Sequence, residues 1–388
     1  MTQTYLDNAS TTKVDEKVLK TMIPYFSEKY GNASSLHFAG EESRREIEES
    51  RETIAKSIGA SHSEILFTGS GTEANNFALK WLFWHNKKNN TGKNHIITTK
   101  IEHDCVLNTC KWLKTQGAEI TYLDVDSEGF VDLKQLENSI TEKTFVVSII
   151  HGNNEIGTIQ DLEKISKICK EKNVLFHTDA CQSFTKAPIN VKKQNIDLMT
   201  INAHKIHGPK GVGALYLNKP IKNQIIPLLH GGGQEFQLRS STENVAGILG
   251  FAKAVKIASN RDVKNMTKLR DYFIKELLEI PNTELNGPKQ NRLCNNINLS
   301  FKNIEGEAIG SYLNAKQIFV STGSACSSKS LEASHVIKAI GREDEYIHGS
   351  IRFSLGHNNN EKQIKYIVKT VSKIVEQLRM ISPIYDNK

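Results

Sequence analysis

Short apolar runs that end in polar or glycine-bearing residues recur along the first two thirds of the chain. Segments 64–68, 95–99, 119–123, 145–150, 174–179, 197–202 and 213–217 read as buried strands. Between them, apolar residues fall at helical spacing. Ile47, Ile54, Ala55 and Ile58 stripe the charged segment 41–57, and Leu162, Ile165, Ile168 and Cys169 stripe another. Segments 75–84, 104–113 and 133–140 also read as helices. Strand then helix, repeated, predicts an α/β fold with a mostly parallel sheet covered by helices on both faces. We assign this large domain to residues 13–260, with helical sequence running on to about residue 278.

Beyond residue 260 the pattern changes. Segment 296–301 alternates as a half-buried strand, 305–313 is helical, and 318–320 and 348–355 are further strands. A last amphipathic helix carries Ile364, Ile367, Val368, Val371, Ile374, Val375 and Leu378. These features predict a smaller α+β domain made of 261–388 together with the extended start, 1–12.

The polar residues that close the strands are the candidate chemistry, because ligands of α/β sheets bind beyond the carboxyl ends of the strands. One run delivers Asp179, and the next leads through Asn202 and His204 into Lys205. An acid and a lysine so placed are the two groups a pyridoxal phosphate site requires, and a sheet-edge salt bridge uses the same pair. Gly69-Ser70-Gly71-Thr72-Glu73-Ala74 turns a strand into a helix. It reads as a phosphate cradle or as a plain strand–turn–helix joint. It also fits a dinucleotide fingerprint, but no acid follows about 20 residues on to hold a ribose. His103 stands where a strand meets a helix, a place for a functional or a structural imidazole. His151-Gly152-Asn153-Asn154-Glu155 closes a very apolar strand in the same way. Ser241 or Thr242 could cap the helix that follows residue 245.

Composition removes several classes of function. With 388 residues, 38% hydrophobic and 24% charged, the chain suits a soluble protein of two domains. The net charge of +7 is spread among 43 acids and is not interleaved with aromatics, so no nucleic-acid partner is expected. No apolar run nears the roughly 20 residues of a membrane helix, and the start lacks a signal-peptide pattern. Six scattered cysteines form no C-x-x-C pair, so zinc-ribbon and thioredoxin readings fail, and so few cysteines in a large chain imply a reducing, cytoplasmic setting. Cys105, Cys110 and Cys294 read as structural, and Cys169 as core filler. Cys326 differs: it lies in the polar stretch 321–330, either as a reactive thiol or as an inert surface one. His204 and His207 have metal-like spacing, but Gly208-Pro209 breaks any helix and nothing completes a ligand set, so no metal is expected.

Taken together these motifs resemble those of cysteine desulfurases of the nitrogen-fixation and iron–sulfur-cluster type, which are fold-type-I pyridoxal phosphate enzymes. The match extends from Tyr5-Leu6-Asp7-Asn8-Ala9-Ser10 to Ser350-Ile351-Arg352-Phe353-Ser354. It includes Gly71-Thr72-Glu73, Glu102-His103, Asn153-Asn154-Glu155, Asp179-Ala180-Cys181-Gln182, His204-Lys205 and Ser324-Ala325-Cys326. The resemblance implies that Lys205 holds pyridoxal 5′-phosphate as a Schiff base and that Asp179 pairs with its ring nitrogen. Gln182 and Asn154 would bind near the phenolic oxygen, and His103 would stack on the ring and move protons. Gly71, Thr72, Asn202 and His204 would surround the phosphate, joined by Thr242 from the second subunit of a homodimer. Arg352, with Asn154, would take the substrate carboxylate. Cys326 would accept sulfur from L-cysteine as a persulfide. An iron–sulfur scaffold or tRNA-thiolation protein would then receive it, with Cys326 sharing in 2Fe–2S ligation on docking and the tail 381–388 touching the scaffold. A selenocysteine lyase, or another enzyme of this fold, is the alternative. The chain departs from the family pattern at Ala33, Asn202 and Ser241, where proline, serine and glycine are usual.

Overall fold

The computed structural model describes residues 3–322 and 333–381. Twelve strands occur among them: β1 (Thr4–Tyr5), β2 (Ile65–Thr68), β3 (His95–Thr99), β4 (Glu119–Leu123), β5 (Thr144–Ser148), β6 (Leu175–Asp179), β7 (Leu198–Asn202), β8 (Gly213–Leu217), β9 (Thr283–Leu285), β10 (Asn296–Phe301), β11 (Ile318–Phe319) and β12 (Ser350–Ser354). Seven of them form one sheet in the order β2-β8-β7-β6-β5-β3-β4. Only β8 runs against its neighbours β2 and β7; every other pairing is parallel. The expected α/β, mostly parallel architecture is therefore present. Its consequence for chemistry is direct: β2, β3, β5, β6 and β7 all end at the same edge.

Strand pleating sends alternate residues to opposite faces, and both faces are covered. From β7 and β8, Met199, Ile201, Ala214 and Tyr216 join a core closed by Ile47 and Ile54 of the Phe38–Ser57 helix and Phe251 of the Val245–Ile257 helix. Leu198, Leu215 and Leu217 face the other way, onto Phe77, Trp81 and Leu82 of the Gly71–Lys88 helix and Val106 and Leu113 of the Asp104–Thr115 helix. Each such fully buried side chain contributes roughly 1.5–3 kcal/mol.

A separate core gathers Leu6, Phe273, Leu277, Leu299, Phe353 and Val371, with others. It is built on the antiparallel sheet β12-β10-β9 and the Asn260–Leu278 and Glu361–Ile381 helices. The chain's start belongs to it, because β1 pairs in parallel with β11, Thr4 opposite Ile318.

Three sequence expectations are corrected. The helical stretch after residue 245 is two helices, Val245–Ile257 and Asn260–Leu278, broken where Ser259 caps the second by accepting the Asp262 N–H. The first is capped by Asn244, whose Oδ1 accepts the Gly247 N–H at 3.0 Å, and not by Ser241 or Thr242. The helix after the glycine turn begins at Gly71, with Ser70 as its cap, and not at Asn75.

Candidate active site

The helix that starts at Gly71 can lie directly against the ends of β6 and β7 because that residue has no side chain. A Cβ there would meet Cys181 Sγ at 2.6 Å and Asn202 Nδ2 at 3.4 Å. Ser70 Oγ accepts the Glu73 N–H at 3.1 Å, which leaves the Gly71 and Thr72 N–H groups with no intrahelical acceptor. Thr72 is exposed beside them. Glu73 turns back to accept the Gly69 N–H at 2.8 Å and pairs with Arg239 at 2.8 Å, which fixes the turn.

Asp179 is buried at the end of β6. Its Oδ1 accepts the Cys181 N–H at 2.9 Å and its Oδ2 accepts Asn75 Nδ2 at 2.6 Å. Lys205 is half-buried just beyond β7. The Lys205 ammonium and the Asp179 carboxylate both act on the half-buried imidazole of His103. Burial first, then Lys205, holds that ring below the ordinary histidine range, so it is neutral. His204 is held at about 4 by burial and by Lys205, Lys210 and Lys186, and its Nδ1 lies 3.2 Å from Thr11 Oγ1. Lys186 shares a cleft of about 220 Å³ with Lys205 and is itself pushed down to about 8, mainly by burial. A second cleft of about 390 Å³ opens beside Thr72, Asn76 and His103.

The smaller unit contributes Arg352 from β12. Its guanidinium is buried, donating to the Asn154 carbonyl at 2.9 Å, to Asp7 Oδ1 at 2.9 Å and to Ser10 Oγ at 2.8 Å. Gln182 is buried and donates to the Ala9 carbonyl at 2.8 Å. Asn154 is also buried. Residues 7–10, 154, 182 and 352 thus meet where the two cores join. Thr242 lies exposed on the segment between Arg239 and Asn244. Cys326 lies outside the described residues.

Pyridoxal phosphate fits this arrangement. Asn202 is buried beside Gly71 and its Nδ2 is the amide atom that would meet a Cβ there, at 3.4 Å, so an amide donor faces the helix N-terminus. Two unsatisfied N–H groups, that amide and the Thr72 hydroxyl suit a phosphate. The Asp179 carboxylate suits a protonated ring nitrogen, and an amine beside it suits an aldehyde.

Two residues of the site were not singled out from the sequence. Asn75 is completely buried on the first turns of its helix. Cys105, read as structural, has its Sγ 3.1 Å from His103 Nδ1. A buried amide on the helix that opens at a glycine turn was the available signal for the first. A thiol on an apolar helix face gave none for the second.

The family model for class-V aminotransferases matches residues 4–367. The cysteine desulfurase IscS of Dictyoglomus turgidum is 50% identical, over 98% of this chain and 96% of its own. That of Methanosarcina thermophila is 48% identical, over 98% and 94%. Among solved structures, a NifS-like protein superposes with a TM-score of 0.91 at 41% identity, over 97% of this chain and 100% of its own. SspA in complex with cysteine gives 0.82 at 37%, over 91% and 99%. On this agreement of sequence and fold along nearly its whole length, the chain belongs to the class-V aminotransferase family, among its cysteine desulfurases.

Proposed function

We propose that this protein is a pyridoxal phosphate-dependent cysteine desulfurase that takes sulfur from L-cysteine, leaves L-alanine, and supplies sulfur for iron–sulfur cluster assembly in the cytoplasm. The observation that carries the reading is the meeting of Lys205 and Asp179 at adjacent strand ends around a neutral His103, beside a helix N-terminus. Bound pyridoxal phosphate supplies an electron sink for the substrate's α-carbon.

The remaining work falls to side chains of this chain. Thr72, Asn202, His204 and the Gly71 and Thr72 N–H groups hold the phosphate, with Thr242 added by a second subunit. Asp179 keeps the ring nitrogen protonated, since a neighbouring anion favours the charged form. His103 lies against the ring, and Gln182 and Asn154 surround its phenolic oxygen. Arg352 turns one arm of its planar fork to the substrate carboxylate, in place of Asp7. Lys205 would hold the cofactor's aldehyde, and its Nζ would take the α-proton of the substrate. The Cys326 thiolate attacks the substrate sulfur: the new S–S bond forms as the substrate C–S bond breaks, and protonation at the β-carbon with return of the α-proton from Lys205 to the α-carbon gives alanine. The persulfide on Cys326 is then passed to an acceptor such as an iron–sulfur scaffold.

A homodimer is supported by an unusual apolar surface: Leu19, Ile23, Phe26, Tyr30, Leu36 and Phe38 are 47–91% exposed within one short segment. No helix among the described residues is long and apolar enough to cross a membrane.

The test is the anaerobic conversion of L-cysteine by the purified, cofactor-loaded protein with a reductant. Equal amounts of alanine and sulfide are expected. Loaded protein that yields neither product overturns the proposal.

A further inference from the structure

Asp179 and His103 are joined by a continuous chain of hydrogen bonds, buried at the Asp179 end, through two residues with no role in the mechanism above. Asn75 Nδ2 donates to Asp179 Oδ2 at 2.6 Å and to Cys105 Sγ at 3.1 Å. Its two N–H bonds therefore meet two acceptors, and the carboxylate fixes which end of the amide is nitrogen, because it can only accept. Asn75 is fully buried and its Oδ1 has no partner, so the amide is held by these two contacts. Cys105 Sγ in turn lies 3.1 Å from His103 Nδ1, and the Cys105 backbone N–H donates to the same ring nitrogen at 3.1 Å.

Donor and acceptor roles along this chain follow without ambiguity. The backbone N–H can only donate, so His103 Nδ1 is an acceptor and the proton of the neutral ring is on Nε2. The Cys105 thiol is kept protonated, since burial and then the Asp179 charge push it up to about 12. Its S–H can therefore donate to Nδ1 while its sulfur accepts from Asn75.

We propose that Asn75 and Cys105 are positioning residues that fix the Nε2–H tautomer of His103 and tie it to the Asp179 carboxylate. The proposal rests on the desulfurase reading for its functional consequence. A proton can enter His103 only at Nδ1, the atom to which both the Cys105 thiol and the Cys105 backbone N–H are directed. The network thus opposes protonation of the ring at that atom, while Asp179 stays oriented by the other arm of the same amide. The charged or titratable groups acting on His103 are Lys205 beyond β7, Asp179 at the end of β6, and Asp104 at the start of its own helix. The fourth is His335, at the start of the His335–Ala339 helix, whose Nε2 lies 3.0 Å from the Glu102 carbonyl. Lys205 and His335 oppose ring protonation, while the two aspartates favour it.

The test compares wild type, Cys105→Ala and Cys105→Ser as cofactor-loaded enzymes. Nitrogen-15 NMR of labelled histidine, with His103 identified by the signals lost in His103→Gln, reads tautomer and titration directly. Wild type should show the Nε2–H tautomer. Cys105→Ala should titrate higher, by roughly half to one pH unit, the shift a single hydrogen bond supplies. Cys105→Ser, whose hydroxyl can also donate, should restore most of the difference. The acid limb of alanine formation should move in the same direction. Cys105→Ala with the tautomer and titration of wild type overturns the proposal. Failure of wild type to form alanine bears on the desulfurase reading alone, because the NMR titration judges the network in either case.

Discussion

At the scale of single residues, the proposed mechanism gives Lys205 and Cys326 separable jobs. Lys205→Ala should abolish both turnover and the near-visible absorption of the bound cofactor. Cys326→Ala should keep that absorption and still bind L-cysteine, yet release almost no sulfide; normal sulfide release would remove Cys326 as the acceptor. Glu102 offers a prediction about stability. Its carboxyl is buried and pushed up to about 8, chiefly by burial, with the Asp179 charge adding to it. Oε1 accepts from Thr99 and from the Ile150 N–H, and Oε2 has no partner, which suits a carboxyl protonated on Oε2. An unfolded chain ionises this group near its ordinary 4.5, so from there to about pH 8 the unfolded state sheds a proton that the fold retains. Stability contributed here therefore falls as pH rises through that window and levels off above it. Glu102→Gln keeps the Oε1 acceptor and cannot ionise. Denaturation curves of the variant should lose less stability than wild type between pH 5 and 9, by a few kcal/mol, on the order set by the shift. Parallel curves would show that the carboxyl is not neutral in the fold.

At the scale of elements, the loop before Arg239 is the one most in need of support. Glu235, Phe236 and Gln237 all have positive φ, at 48°, 59° and 65°. Such residues persist only where the surroundings over-determine them. Glu235 is clamped by Arg51 through contacts of 2.7 and 2.8 Å and accepts the Phe67 N–H at 2.8 Å. Arg51 in turn lies over the rings of Phe67 and Phe236. Glu235→Ala leaves the buried Arg51 guanidinium with only the Glu48 carboxylate and the Ile65 carbonyl, and the Phe67 N–H without its acceptor; it should cost about 1.5–3 kcal/mol in chemical denaturation, and a change under 1 kcal/mol would mean the clamp is dispensable. None of this was legible in the sequence, where residues 51 and 235 stand far apart and the loop shows no regular pattern. What was legible were the elements with a strong pattern. The ends of β6 and β7 could be read because buried apolar runs stop abruptly at Asp179 and Asn202. By contrast β9, Thr283-Glu284-Leu285, has a single apolar residue and no run to detect. The break at Ser259 was hidden because helical spacing resumes immediately. The surroundings of Arg352 depend on Asp7 and Ser10, which only the assembled sheets bring to it.

At the scale of the whole molecule, the exposed apolar segment 19–38 predicts the oligomeric state. Replacing Phe26 and Leu36 together by Asp should shift the protein from dimer to monomer in sedimentation, with loss of cofactor affinity if Thr242 reaches across. A wild-type protein that sediments as a monomer would contradict both expectations. The order in which the chain is made gives the β1–β11 pairing a further meaning. Thr4 leaves the ribosome long before its partner Ile318. Until then Leu6 has no core to enter, and the strand is an unpaired edge. The lysine end of the site is synthesised well before Arg352, by on the order of ten seconds at typical rates of about 5–20 residues per second. A nascent chain would therefore own the means to hold the cofactor before it owned the means to hold a substrate, and β1, made before the rest of the sheets, would wait for β11 to fold.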